Sequence, residues 1–383
     1  MSFEKIFKTC QTLYANEGIA VDNFFDTVAT IITQARAYVG YTADLTMCIT
    51  YYEIGRMIVE QEQKGKTHSE YGSNLLKELS TYLTGRFGKG FSASNLKNAR
   101  QFYQIYAPSI QQLKAIKSEN VNRQSLISEL PFRLSWTHYQ VLMRIENADE
   151  RRFYEIEALN QQWSVRQLQR QYGSSLYERL ALSRDKAEVM RLATQGQIVE
   201  KPRDLLKNPL ILEFLGMEEK TSYSETDLES AIISQLQNFL LELGKGFLFE
   251  ARQKRFSFDE QSFFVDLVFY NRLLQCYVII DLKTEKLNHQ DLGQMLMYVN
   301  YFDRYVKAKH EKPTVGILLC KEKNESIVQL TLPENSNIYA SEYQLYLPDK
   351  NVLQQKLIEW TKEFEEKQHT RDGTNNDEKC SKN

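Results

Sequence analysis

The chain has 383 residues, 42% of them hydrophobic and 26% charged, with 22 Tyr and 20 Phe; this excludes wholesale disorder, and the length suits two domains better than one. Its 48 Lys and Arg nearly balance 50 Asp and Glu, and the net charge of -2 does not by itself point to a nucleic-acid partner. Five scattered cysteines, Cys10, Cys48, Cys276, Cys320 and Cys380, without a CxxC pair, support neither a disulfide framework nor a zinc site.

The first segment, residues 1–22, starts "MSFEKIFKTC" and lacks the apolar core and small-residue cleavage site of a signal peptide. No run of about 18 apolar residues follows, so a cytoplasmic location without membrane contact is expected. Residues 23–196 read as helices. Apolar residues recur at helical spacing in "ADLTMCITYYEIGRMIVEQEQ" and again from Ser69 or Tyr71 to Leu83. "GRFGKGFSASNLKNARQFYQIYAP" then supplies a glycine-rich turn, a cap at Ser92 or Ser94, and a helix expected to stop before Pro108. Helix, turn and helix outline a helix-turn-helix unit.

From Arg86 to Arg123 there are seven Lys or Arg, among them Lys97, Arg100, Lys114 and Lys117, against one acid, Glu119. Such a bias fits a phosphate-binding surface or a solvated helix face. A second helical set follows in "LSWTHYQVLMRIEN", "DERRFYEIEALNQQ" and "WSVRQLQRQY", with Ser135 and Ser164 as caps. Arg166 and Arg170 stand four residues apart, hence on one helix face, where they would meet DNA if that helix enters a groove.

Residues 197–224, with two prolines and the polar "EEKTSYSET", read as a linker carrying a short docking helix. A single long helix is expected next, capped by Thr226 and ended at Gly244 or Gly246. Three β-rich runs, "FLFEARQKRFSFD", "FFVDLVFY" and "CYVIIDLK", precede a helix, "HQDLGQMLMYVNYFDRYVK", and a fourth strand, "PTVGILLC". Residues 225–362 thus predict an α/β sandwich on a mixed sheet, and the chain is α+β overall. The tail, 363–383, is polar and unpatterned.

Two of those strands carry acids inside apolar runs. A buried carboxylate needs a cation, a partner or a task. Side chains alternate along a strand, so Asp281 and Lys283 project from one face, and Asp266 can sit at the mouth of that face if its strand pairs with theirs. Two carboxylates suit magnesium, which takes oxygen ligands and keeps several waters. Such an ion acidifies a water and neutralises charge on a phosphodiester, while a lysine stabilises the transition state. These are the needs of phosphodiester hydrolysis. Arg252 and Lys254 project from one face of the first strand, where they can meet DNA.

The pattern resembles the PD-(D/E)xK nuclease superfamily, in which a helix glutamate precedes a strand acid and an acid-x-Lys. Asp266 matches the first acid, and Asp281 with Lys283 the acid-x-Lys. Glu229 matches the helix glutamate, with Glu225 as the competing residue. Gln294 and Tyr298 in "QMLMY" resemble the Q-x-x-x-Y motif of the RecB-like branch. The likeness is closer to the DUF1016 or YhcG-type nucleases, over nearly the whole chain: "YYEIGRMIVEQEQKGKTHSEYGSNLL" resembles their N-terminal domain and "LLELGKGFLFEARQKRF" their nuclease domain.

This resemblance implies a helical region followed by a nuclease using Mg2+, with Mn2+ as a substitute. Asp266, Asp281 and Glu229 would serve the metal, Lys283 the water, and Gln294 with Tyr298 the DNA substrate. The N-terminal helices would dock DNA, dock a protein partner or hold a homo-oligomer. Val265 replaces the proline of the superfamily's name, and Asp281 stands where many relatives carry Glu. The shorter acid leaves room for a second reading, a nuclease fold that no longer cuts and serves as a DNA-binding scaffold in a defence or restriction-type complex; a third reading is an RNA nuclease.

Overall fold

The computed structural model describes residues 21–64, 71–116, 132–183, 186–207, 209–217, 223–333, 335–355 and 357. Lys117, Arg123, most of the segment 1–22 and the tail 363–383 lie outside the described residues, as does the side chain of Lys114. The chain forms two units, one of residues up to 151 with 158–168, the other of 152–157 with the residues from 169 onward.

In the first unit, α1 (Val21–Lys64), α2 (Tyr71–Phe87) and α3 (Ala93–Ile116) pack through Ile58, Leu76 and Leu96. A side chain at Gly55 would overlap the Ala99 carbonyl oxygen, so glycine is what lets α1 and α3 touch. Ser92 caps α3, its hydroxyl accepting the Asn95 N–H at 3.2 Å. Contrary to expectation, α3 runs through Pro108. Proline removes one helix hydrogen bond, and here the exposed Pro108 and Gln104 let water satisfy the freed carbonyl. Phe102, Phe132 and Tyr139 form an aromatic core against α4 (Trp136–Leu142), with ring centroids 4.7–5.5 Å apart. The next helices are α5 (Ala148–Asn160), α6 (Val165–Gly173), α7 (Leu176–Leu182) and α8 (Lys186–Gln195).

The second unit is built on a six-stranded mixed sheet. In chain order its elements are β1 (Leu210–Ile211), α9 (Glu225–Ser234), α10 (Leu236–Leu243), β2 (Phe247–Phe258), β3 (Gln261–Asn271) and β4 (Cys276–Lys286), then α11 (His289–Tyr301), β5 (Val315–Glu322), α12 (Glu325–Thr331) and β6 (Ile338–Gln344). The sheet order is β1-β6-β5-β4-β3-β2; β4, β5, β6 and β1 pair in parallel and β2-β3-β4 form an antiparallel meander. Two strands join the expected four. The expected long helix is two, because the backbone at Gln235 leaves the helical region. Ser224, not Thr226, caps the first of them: it accepts the Asp227 N–H at 3.1 Å while Asp227 accepts the Ser224 N–H at 2.9 Å.

Period-two alternation gives the sheet two apolar faces. Leu267, Phe269, Val278 and Ile280 meet Leu228, Ile232 and Phe239 of α9 and α10. Val268, Ile279 and Leu318 meet Leu292, Met295 and Val299 of α11 on the other side. Beneath α10, Glu242 is fully buried among cations, with Arg179 at 2.5 Å and Arg170 at 3.3 Å. Burial alone would raise the Glu242 carboxyl, but Arg179, Lys207 and Arg170 overrule it and hold it down at about 2. A depressed acid contributes stability that is complete above its ordinary 4.5 and drains as the pH falls toward about 2. Glu242→Gln is therefore expected to cost about 3–5 kcal/mol in urea unfolding at pH 7, since it strands buried cations.

Candidate active site

The ladder between β3 and β4 runs from Asn271 opposite Cys276 to Leu267 opposite Ile280, and there it stops. The next residues in that register are Asp266 and Asp281. One turn of the pleat therefore sets two carboxylates across from each other where the strands part, while β5 still holds the far side of β4 as far as Lys283 opposite Cys320. The end of the ladder frees a backbone donor, and Asp266 takes it: Oδ2 accepts the Leu282 N–H at 2.9 Å. Its Oδ1 accepts from Gln253 Nε2, also at 2.9 Å.

Lys283 Nζ lies 2.9 Å from Asp281 Oδ2 and 3.6 Å from Glu225 Oε2, so α9 brings a third carboxylate to the lysine. The Asp281–Lys283 approach is an ion pair without hydrogen-bond alignment, and Oδ2 remains a buried acceptor with no hydrogen-bond partner. Asp281 is 3% exposed. Burial, and then the Asp266 charge, push its carboxyl up to about 7 against the pull of Lys283. Burial raises Asp266 as well, opposed by the Leu282 N–H and Gln253. Burial would lower the Lys283 ammonium, but Asp281 and then Glu225 and Asp291 raise it, so it stays charged.

Glu229 is buried one helical turn from Glu225. Its Oε1 accepts from Arg252 Nε and its Oε2 from Gln253 Nε2 at 2.5 Å. Gln253 thus joins Glu229 to Asp266. Among the described residues no group of three His, Cys, Asp or Glu forms a metal cage. Two facing aspartates, one of them with a buried oxygen whose sole close partner among the described residues is the Lys283 ammonium, nonetheless fit a hard cation that takes one or two carboxylates and completes its shell with water and phosphate.

Gln294 donates from Nε2 to the Tyr298 hydroxyl, as their spacing on α11 requires. Burial raises the Tyr298 phenol, the Gln294 bond opposes this, and the Asp281 and Asp266 charges raise it further. Asp266, Asp281, Lys283 and Glu229 therefore converge on one end of the sheet, while Gln294 and Tyr298 stand on α11, which packs on the sheet face of Ile279.

The other candidates go elsewhere. Arg252 and Lys254 do not share a face. Gln253 has φ +47°, which breaks the alternation, so Arg252 and Gln253 both reach α9 while Lys254 pairs with Glu250 and covers the rings of Phe302 and Tyr277 at 5.6 and 5.8 Å. Arg170 is half-buried and spends its charge on Glu213 at 3.1 Å and Glu242 at 3.3 Å, whereas Arg166 is exposed. Arg100 pairs with Glu62 at 2.8 Å, and Lys97 faces solvent. Gln253 was not singled out from sequence; a hairpin turning at Asp259 and Glu260 sets it opposite Asp266, which is the signal that could have found it.

Two family models match the chain: the DUF1016 N-terminal domain over residues 27–179 and the YhcG PDDEXK nuclease domain over residues 203–358. The chain is 37% identical over 348 residues to "Putative nuclease YhcG" of Escherichia coli (strain K12), spanning 87% of this chain and 92% of that protein. Among solved structures, a repair endonuclease from Pyrococcus abyssi is 19% identical with a TM-score of 0.23, over 34% of this chain and 50% of that one. An EndoMS–dsDNA2 complex is 16% identical with a TM-score of 0.24, over 35% and 51%. The chain thus spans about half the length of each of these two structures.

Proposed function

This chain belongs to the family that joins a DUF1016 N-terminal domain to a YhcG PDDEXK nuclease domain, and on that premise we propose that it is a metal-dependent nuclease hydrolysing the phosphodiester bonds of DNA. The observation that carries this reading is the facing of Asp266 and Asp281 at the end of their ladder, with Lys283 2.9 Å from Asp281. A magnesium ion held by Asp266 and Asp281, with manganese as a substitute, would neutralise charge on the phosphate and acidify a water.

The chain's own residues do the rest. Asp266 and Asp281 repel each other inside the fold, so both gain from sharing a cation. Lys283 keeps its proton and offers a compact positive charge to the oxygens on which negative charge develops. Glu229 does not enter that step directly; it holds Gln253, which holds Asp266. Gln294 is exposed and presents its amide to the substrate backbone, whereas Tyr298, expected beside it, is buried and holds that amide through its hydroxyl. The helical part, 23–196, docks the DNA through exposed charges such as Lys97 and Arg166, and the part from 225 to 362 cuts it.

The test is incubation of the purified chain with labelled DNA and RNA of one sequence, in magnesium, in manganese and in EDTA. DNA cut in either metal and untouched in EDTA is the expected result. Tight DNA binding without cutting would favour the scaffold, and preferred cutting of RNA would replace the substrate.

A further inference from the structure

One turn beyond Gln294, α11 forms a wall of a cleft that none of the residues above explains. Phe256, Phe258, Gly293, Asn300, Tyr301, Arg304 and Tyr305 are among its lining residues, around a cavity of about 330 Å³. That is the small end of ligand pockets, which run from about 300 to 1,000 Å³.

Its walls are aromatic and ordered by stacking. Phe263 stacks on Phe256 at 5.4 Å, Phe256 on Tyr301 at 4.0 Å, and Tyr301 meets Tyr305 at 5.2 Å. The outer rings face solvent: Phe258 is 55% and Tyr305 63% exposed. Rings grouped at the rim of an apolar cleft, unlike single exposed ones, mark a surface that takes a ligand or partner. Polar groups line it too. Asn300 and Arg304 are exposed and have no hydrogen-bond or ion-pair partner among the described residues. Gly293 sits mid-helix with open space where a side chain would be, although glycine there costs about 1 kcal/mol against alanine. A bare backbone at that point admits close approach of a ligand.

The cleft adjoins the Gln294–Tyr298 pair: Gly293 precedes Gln294 on α11, and the Tyr298 ring meets Phe256 of the cleft wall edge-on at 5.6 Å.

Planar aromatic surfaces, an amide able to pair with a base edge and a guanidinium for the adjoining phosphate together describe a seat for an unstacked nucleobase. We propose that this cleft binds a base of single-stranded DNA beside the cutting site, so that the preferred substrate has an unpaired strand rather than a continuous duplex. The inference rests on the nuclease reading and narrows its substrate.

The experiment is fluorescence anisotropy of the full chain in EDTA, where no cutting is expected, with a single-stranded oligonucleotide, its blunt duplex and the same strand carrying abasic sites. The wild type should bind the intact strand more tightly than the abasic strand or the duplex. Tyr305→Ala should weaken strand binding roughly 5- to 150-fold, the range for losing one stacked base, with recovery in Tyr305→Trp. Gly293→Leu, whose side chain enters open space, should weaken it likewise without unfolding the helix. Equal binding of intact and abasic strands, or unchanged strand binding in both Tyr305→Ala and Gly293→Leu, would overturn the proposal. Should those variants still cut DNA with magnesium, the catalytic reading would stand and only the base seat would fall.

Discussion

Asp281→Asn is expected to abolish cleavage, by at least about 10²-fold, and yet to yield a protein that resists heat better than the wild type at pH 8 in EDTA. Activity is expected to fall because the substitution removes one of the two carboxylates proposed to serve the cation. Stability rises because the ionised Asp281 is a burden on the free protein: burial and Asp266 lift its carboxyl from 3.8 to about 7. The sign follows from proton linkage. Between pH 4 and 7 the folded chain holds a proton at Asp281 that the unfolded chain has released, so stability declines as the pH rises through this window. Against its burial, Lys283 is raised above its ordinary 10.5 chiefly by Asp281, so the variant gives up that pairing and the expected gain in heat resistance is what remains after it. Asp266 is shifted in the same direction as Asp281 and leaves a shallower slope in the variant. Thermal unfolding of both proteins from pH 4 to 8 in EDTA reads the difference. Parallel curves would mean that Asp281 is not strained as described.

The neighbouring acid should behave in the opposite way. Asp266→Ala is expected to lose cleavage to a similar degree and to cost about 1–3 kcal/mol of stability as well, because it orphans the Leu282 N–H and releases Gln253. Asp266→Asn keeps one carbonyl acceptor for that N–H, so it should recover much of the stability and none of the activity. Urea unfolding at pH 7 of the two variants beside the wild type distinguishes them. Equal stability of Asp266→Ala and Asp266→Asn would remove the anchoring role assigned to this residue. Two aspartates that look alike in sequence thus differ in kind: one is fixed by the fold, the other is held at its expense.

That difference lay beyond the sequence, although the pair itself did not. Strand alternation puts Asp281 and Lys283 on one face, and the apolar runs around both acids mark a sheet interior, so their placement together could be read from spacing. Glu225 and Glu229, one turn apart on α9, could not be ranked, because their roles depend on what crosses the sheet to meet them: Lys283 for one, Arg252 and Gln253 for the other. The failures have local or distant causes. Gln253 adopts a left-handed backbone, so the rule of alternation gives the wrong face for Lys254. Arg170 is drawn inward by Glu242, 72 residues away, which helix periodicity alone does not reveal. Pro108 marks a helix stop by its residue type alone, but its exposed position lets α3 continue.

Lys283 and the aspartate pair are proposed to form a cutting centre and not merely a folded remnant of one. This proposal is tested most directly by single-turnover cleavage of an end-labelled DNA with one unpaired arm, with enzyme in excess, by the wild type and by Lys283→Ala, each in magnesium and in EDTA, with DNA affinity measured in parallel. Metal-dependent cutting by the wild type, a loss of at least about 10²-fold in Lys283→Ala and nearly unchanged binding are expected. Cutting by Lys283→Ala at the wild-type rate, or by either protein in EDTA, would contradict the proposal.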